Sequence, residues 1–167
     1  HRVQHFNGRS PRWENIYAAA PLGNDRLLVA TIMGAKLLEL GAVPRELKRL
    51  TRARTYAVVP DRTGEGFLLG THEGTQHLLL QDTAHQFITF AAPSHRTYDL
   101  LWAGDDLYIA TARGLFLHRG GVVQPVPLSE DERPPQVRAL AMQGDRLLWV
   151  ATLNGLYRKD LRTPAAL

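Results

Sequence analysis

Hydrophobic and polar positions alternate in short blocks along the whole chain, and these blocks recur at a fixed spacing. Each repeat contains an apolar run that ends in a threonine, as in Leu27–Thr31 and Leu107–Thr111. The four threonines lie 40, 40 and 41 residues apart: Thr31, Thr71, Thr111 and Thr152. A fixed period of this length over a whole chain predicts a repeat architecture.

Every one of these threonines is followed by two residues and then a glycine. The glycines are Gly34, Gly74, Gly114 and Gly155. The last residue of such a tight turn takes up a left-handed backbone conformation, which glycine adopts without steric cost. The Thr-x-x-Gly pattern therefore predicts a hairpin in each repeat.

Each repeat divides further into four short strands, separated by turns that contain Gly, Asp or Asn. The segment Val43–Arg54 is the best helix candidate, but Pro44 and its place in the repeat favour a strand and a loop. The pattern predicts an all-β fold over residues 1–167, a β-propeller of four roughly 40-residue, four-stranded blades. The blades are predicted at 16–50, 55–90, 97–127 and 137–160, the last together with residues 2–6.

The two ends of the chain are complementary in this scheme. A predicted strand at Arg2–Phe6 has no partner, and the last repeat lacks a fourth strand. We expect the N-terminal strand to complete the last sheet, which would close the ring and cover its open edges. Three arrangements fit four blades: an excised part of a larger ring, a closed four-bladed ring, and a half-ring that pairs with another chain.

Two of the hairpins read Leu-Trp-Val-Ala-Thr-Leu-Asn-Gly-Leu-Tyr-Arg (Leu148–Arg158) and Leu-Tyr-Ile-Ala-Thr-Ala-Arg-Gly-Leu-Phe (Leu107–Phe116). They resemble the bacterial two-component regulator propeller repeat, with alanine in place of the glycine that precedes the threonine. The resemblance implies sensor blades outside the cytoplasm, placed ahead of histidine kinase or cyclase modules. It implies a periplasmic location, and without it a cytoplasmic one is the alternative.

Composition adds few constraints. The chain has 167 residues, a formal net charge of +4 and no cysteine, which excludes disulfides and thiolate metal sites. No apolar run reaches the roughly 18 residues of a membrane-spanning helix, so no span is predicted in this chain.

Catalytic and metal-binding patterns are not found. His72-Glu73 lacks the second histidine of a zinc-protease helix, and none of Ser10, Ser94 and Ser129 lies in a Gly-x-Ser-x-Gly turn. We therefore predict no metal, no cofactor and no enzymatic activity. The alternative is a propeller enzyme of the lyase or lactonase type, which would gather metal-binding Glu, Asp, Asn or His at the channel mouth.

The predicted topology separates charges by loop class. The Thr-x-x-Gly turns share one end of the blades with the loops that lead into each next blade, and this end is predicted to be rich in arginine. The candidate binding residues there are Arg52, Arg54, His72, His95, Arg96, Arg113 and Arg138. The opposite end takes mostly carboxylates. Scattered surface arginines that are solvated or paired with neighbours would give the same sequence pattern.

Arginine suits bidentate binding of carboxylate or phosphate. We therefore expect an acidic protein partner or an anionic ligand, bound by a sensing module within a larger signalling or multisubunit protein. Pairing with further blades or with a second copy is also open. Nucleic acid is disfavoured because the charge excess is small and no aromatic residues are interleaved with it.

One aromatic recurrence remains. Tyr17, Tyr56 and Tyr98 occupy the same place near the start of the first strand in three repeats, and Arg138 takes that place in the fourth. Packing in the core or along the channel explains the recurrence, and a stacking surface for a ligand is the alternative.

Overall fold

The computed structural model describes residues 15–81, 84–88, 90, 92–128 and 134–162. The described residues form fifteen strands and no helix, and so no helix that is long and apolar enough to cross a membrane. In chain order the strands are β1 (Ile16–Leu22), β2 (Arg26–Thr31), β3 (Gly34–Glu39), β4 (Arg45–Arg49), β5 (Thr55–Pro60), β6 (Gly66–Thr71), β7 (Gly74–Gln81), β8 (Ala84–Ile88), β9 (Thr97–Ala103), β10 (Asp106–Thr111), β11 (Gly114–Arg119), β12 (Val122–Val126), β13 (Val137–Gln143), β14 (Leu147–Thr152) and β15 (Gly155–Asp160).

These strands make four antiparallel sheets, which are the blades of a β-propeller. Strands β1–β4, β5–β8 and β9–β12 form blades 1, 2 and 3, and β13–β15 form blade 4, which has three strands among the described residues. The predicted all-β propeller fold is confirmed, and the disputed segment after Pro44 is strand β4. The predicted closing strand Arg2–Phe6 lies outside the described residues.

The blades pack side by side through their first strands. Strand β1 adjoins β5, β5 adjoins β9, and β9 adjoins β13, while the second strand of each of the first three blades also packs against the first strand of the next. Within the described ranges, no packing of that extent joins blade 4 back to blade 1.

Three apolar layers fill the spaces between successive blades. Leu28 and Leu37 of blade 1 meet Val58 and Leu69 of blade 2, and corresponding layers lie between blades 2 and 3 and between blades 3 and 4. In blades 2 and 3, alternate residues of the inner strands belong to different layers, so both faces of these strands are covered. A fully buried side chain such as Leu28 contributes about 1.5–3 kcal/mol to folding.

A threonine hydroxyl closes each hairpin between the second and third strands. Thr31 Oγ1 donates to the carbonyl oxygen of Gly34 at 2.9 Å and accepts the Met33 amide at 3.1 Å. The same pair of hydrogen bonds recurs at Thr71, Thr111 and Thr152. Because the first three hydroxyls are buried, these bonds satisfy groups that water does not reach.

Polar contacts fix neighbouring blades relative to each other. The Thr75 and Thr97 hydroxyls lie 3.1 Å apart between blades 2 and 3, and the Asp99 carboxylate accepts the Leu140 amide at 2.8 Å between blades 3 and 4. Burial raises the pKa of Asp99 above its ordinary value, although the amides of Leu140 and Leu100 act in the opposite direction.

The turn between β5 and β6 is organised by one buried carboxylate. Asp61 accepts hydrogen bonds from the Gly64 amide at 2.8 Å and from both the amide and the hydroxyl of Thr63, while His77 Nε2 lies 2.8 Å from its other oxygen. Burial opposes ionisation of Asp61. The hydrogen bonds from His77, Thr63 and the amides of Gly66 and Gly64 outweigh it and lower the pKa of this carboxyl.

The hairpin glycines provide a matched test of packing against backbone strain. A Cβ at Gly34 would lie 1.9 Å from the Thr51 carbonyl oxygen, whereas a Cβ at Gly155 would meet nothing within 4 Å. Both glycines have positive φ. We expect Gly34→Ala to lower the free energy of unfolding by about 3 kcal/mol or more, and Gly155→Ala by about 1–2 kcal/mol. Urea unfolding measures both, and equal losses would contradict the role of the Thr51 contact.

The Asp61 turn predicts a pH dependence of stability. Since its pKa is lower in the folded state, the ionised carboxylate stabilises the fold above about pH 4, and this contribution disappears as the pH falls through the folded-state value. We expect Asp61→Asn to cost about 1–3 kcal/mol at pH 7 and much less at pH 2–3. Asp105→Asn, in the exposed corresponding turn of blade 3, is the matched control and should change little at either pH. A cost for Asp61→Asn that does not depend on pH would disprove the ionic contribution.

Candidate functional site

An extra residue interrupts the first strand of every blade. Thr55 pairs with Thr71 and Ala57 pairs with Gly70, so Tyr56 has no partner of its own. The corresponding unpaired residues of the other blades are Tyr17, Tyr98 and Arg138. Such a β-bulge redirects the side chain of its extra residue. These four side chains therefore lie outside the alternation that fills the apolar layers.

The bulged residues of neighbouring blades contact each other in a row. Ring centroids of Tyr17 and Tyr56 lie 5.5 Å apart, and those of Tyr56 and Tyr98 lie 5.3 Å apart. The Arg138 guanidinium carbon then lies 4.2 Å from the Tyr98 ring centroid, within cation–π range. We call Tyr17, Tyr56, Tyr98 and Arg138 the ladder. The packing interpretation of the recurrent tyrosines agrees with these contacts.

A cluster of hydrogen-bond donors surrounds Tyr98, the buried residue of the ladder. The Tyr98 hydroxyl oxygen accepts from Arg96 Nη1 at 3.3 Å and from Gln136 Nε2 at 3.1 Å. Its two lone pairs are thereby used, and its own proton has no acceptor among the described residues. This leaves the hydroxyl proton available to a group that accepts hydrogen bonds.

Arg96 also connects two blades at this point. Its Nε donates to Nδ1 of His72 at 2.9 Å, so the neutral His72 ring carries its proton on Nε2. The hydrogen bond to the Tyr98 hydroxyl raises the pKa of Arg96 further above its already high ordinary value. The cluster therefore holds a permanent positive charge, fixed in place by His72 and Tyr98.

Arginines at the two ends of the blades differ in their partners. At the end opposite the Thr-x-x-Gly turns, arginines form ion pairs: Arg45 with Glu39, Arg119 with Asp106, Arg146 with Asp160, and Arg162 with Asp145. At the end that carries the turns, which we call the threonine end, the predicted arginines have no carboxylate within ion-pair distance in the described ranges. Glu73, in a turn at this end, is exposed and likewise unpaired there.

The structure brings some of the predicted site residues together and leaves others apart. His72, Arg96 and Arg138 meet around Tyr98. Arg52, Arg54 and Arg113 are exposed in the loops and turns of the same end, and among the described residues no side-chain hydrogen bond or ion pair joins them to this cluster. His95 faces elsewhere: it lines an open depression with Phe116 and Val123.

Tyr98 and Gln136 are absent from the predicted set. The in-phase recurrence of the tyrosines was the signal that could have placed Tyr98 in the site. Nothing in the sequence indicates Gln136, because its contact depends on how the loop after residue 134 enters blade 4. In the described part of the chain no three His, Cys, Asp or Glu side chains are grouped so that they could hold a metal ion.

Comparisons with known proteins identify relatives in fold. No protein-family model and no curated protein matches the chain. Among solved structures, the extracellular domain of the hybrid two-component system BT4673 from B. thetaiotaomicron has a TM-score of 0.71 at 13% identity, over 94% of this chain and 22% of that one. The chain therefore spans about a fifth of the length of that domain.

Two further structures show how widely the fold is shared. The computationally designed protein Ika4 matches with a TM-score of 0.63 at 12% identity, over 95% of this chain and 99% of that one. A catalytically inactive H270A virginiamycin B lyase from Staphylococcus aureus matches with a TM-score of 0.57 at 10% identity, over 80% and 47%. An extracellular domain of a two-component system, a designed protein and a lyase thus share this architecture, and identities this low establish the fold alone.

Proposed function

We propose that this chain is a non-enzymatic propeller module that senses or docks an anionic group at its threonine end. The observation that carries the proposal is the cluster around Tyr98. There Arg96, Arg138, Gln136 and the phenol present hydrogen-bond donors and positive charge, and no carboxylate neutralises them among the described residues.

The chemistry of the cluster favours carboxylate or phosphate. The Arg138 guanidinium carbon lies over the Tyr98 ring, and its nitrogens have no hydrogen-bond partner among the described residues, so they can bind a bidentate partner. Arg96 is held through Nε and Nη1, so its remaining donors have a fixed direction and lose little entropy on binding. A pre-organised pair of arginines beside a free phenolic proton suits an anion better than a cation or an apolar ligand.

Two fold relatives bear on the setting of the module. The BT4673 domain and the corresponding BT3049 domain, which matches at 13% identity, are both extracellular domains of hybrid two-component systems. By analogy we infer a sensing role in a larger signalling protein and a periplasmic location for this chain. The lyase is a fold relative of the enzyme alternative, but no catalytic group at the cluster among the described residues favours that alternative.

Binding of a labelled hexaglutamate peptide, followed by fluorescence anisotropy, tests the anion site. We expect the double variant Arg96→Glu and Arg138→Glu to weaken binding at least about tenfold, because each arginine–carboxylate pair is worth roughly 1.5–3 kcal/mol. Raising the salt concentration should weaken wild-type binding and reduce the difference between the two proteins. Inorganic phosphate as a competitor separates recognition of a single anion from recognition of an acidic chain.

Arg62→Glu is the matched control, since it makes the same charge change per site at the opposite end, where Arg62 lies over the Trp102 ring. It should leave peptide binding nearly unchanged. Tyr98→Phe removes only the hydroxyl and keeps the ring, so it should cause a smaller loss than the double reversal. Thermal melts confirm that each variant folds. Equal weakening by Arg62→Glu, or no effect of the double reversal, would refute a site at Tyr98.

A further inference from the structure

Blade 4 carries a sheet face that no other described blade covers. In blade 1 the face toward blade 2 is buried at Leu28, Ala30 and Ala35, each 0% exposed. The register of the hairpins makes Trp149, Ala151 and Leu156 the equivalent residues of blade 4. Leu156 is 64% exposed, and the two others are partly exposed. The positions that make the interface in blade 1 are thus present and apolar in blade 4, but open.

The innermost strand of blade 4, β13, is likewise more exposed on this face than β1, its equivalent in blade 1. Ala20 in β1 is 3% exposed and packs in the layer that also contains Val58 of blade 2. Its equivalent in blade 4 is Ala141, since Ala20 pairs with Leu28 and Ala141 pairs with Trp149. Ala141 and its neighbour Ala139 are exposed. The open face therefore continues the pattern of the three established blade interfaces.

Blade 1 has a complementary opening at the other end of the row. Ile16 and Tyr17 are 47% and 45% exposed, and Ala19, which is equivalent to Val58, is exposed as well. The outer part of that face, at Val29 and Leu38, is already buried. A surface that meets blade 1 from outside would therefore make its contact mainly at the inner strand.

The two ends of the ladder are also complementary in chemistry. Among the described residues, the Tyr17 ring has one ring neighbour, Tyr56, and the Arg138 guanidinium has one ring contact, with Tyr98. A guanidinium that stacks on one ring can stack on a second ring from its other face. The same chain therefore offers both halves of a contact that would continue the ladder.

We propose that a second copy of this chain covers the open face of blade 4. Two copies join head to tail, so that Ala139 and Ala141 of each copy pack against Ala19 and Ile16 of the other, and Arg138 of each stacks on the other's Tyr17. The two contacts are equivalent and related by a two-fold axis, which closes the assembly as a dimer. This proposal concerns assembly: it shares Arg138 with the anion site but does not require that an anion binds there.

A cysteine pair tests this geometry directly, because the chain contains no cysteine of its own. In the proposed contact, Ala19 of one copy takes the place that Val58 has between blades 1 and 2, and Ala141 of the other copy takes the place of Ala20. Ala19→Cys and Ala141→Cys therefore bring two thiols together across the contact. At micromolar concentration, light scattering of the unmodified protein should give twice the mass of one chain, which is 18.7 kDa. Oxidation of the two single variants mixed together should give a disulfide-linked dimer, and oxidation of either alone should give almost none.

Each alternative occupant predicts a different result. A chain that stays monomeric over all concentrations overturns the proposal. An intramolecular disulfide in the monomeric double variant would show instead that blade 1 of the same chain covers the face. A linked dimer from Ala141→Cys alone would show two blade 4 faces packed together, which also overturns the head-to-tail contact. Ala141→Glu should weaken dimerisation at least about tenfold. Gln124→Glu, at an exposed position of the outer strand β12 of blade 3 and away from the proposed contact, serves as the charge-matched control.

Discussion

The fold depends on a hydroxyl that closes a hairpin from within. At each Thr-x-x-Gly turn the threonine oxygen donates to the glycine carbonyl and accepts an amide two residues on, in three blades at buried positions. Without it, two backbone groups would lose their partners in a region that water does not reach, at a cost of about 1–3 kcal/mol each. Each Thr-x-x-Gly turn also sets the register between the second and third strands of its blade. That register decides which residues enter each apolar layer.

From that register follows the position of the charged cluster. The turn of blade 2 brings His72 to the loop that precedes β9, where Arg96 donates to it. The bulge two residues later presents Tyr98 to Arg96, and the next blade supplies Gln136 and Arg138. A site assembled from three adjacent blades in this way holds its geometry only as long as the blade interfaces do.

The sequence alone predicts the repeat, the strands and the hairpin glycines, because all of them arise from local patterns of apolar, turn and threonine residues. The expectation of an arginine-rich threonine end, which rests on loop class, stays a prediction, because arginines such as Arg119 and Arg146 lie at the opposite end as well. The sequence does not predict that Arg96 meets His72, 24 residues away, or that the opposite end neutralises its arginines with carboxylates. Those contacts depend on side-chain rotamers and on the angle between blades, and neither can be read from the periodic pattern of residue types.

The bulge in each first strand has a consequence for how such a module changes its specificity. Its extra residue lies outside the alternation that fills the apolar layers, so those layers place little demand on its identity. Blades 3 and 4 illustrate this, for the same backbone position holds Tyr98 in one and Arg138 in the other. One substitution per blade can therefore exchange an aromatic surface for a cationic one while the interior is left intact. The ladder is therefore a row of surface positions whose chemistry can change while the apolar layers of the blades stay the same.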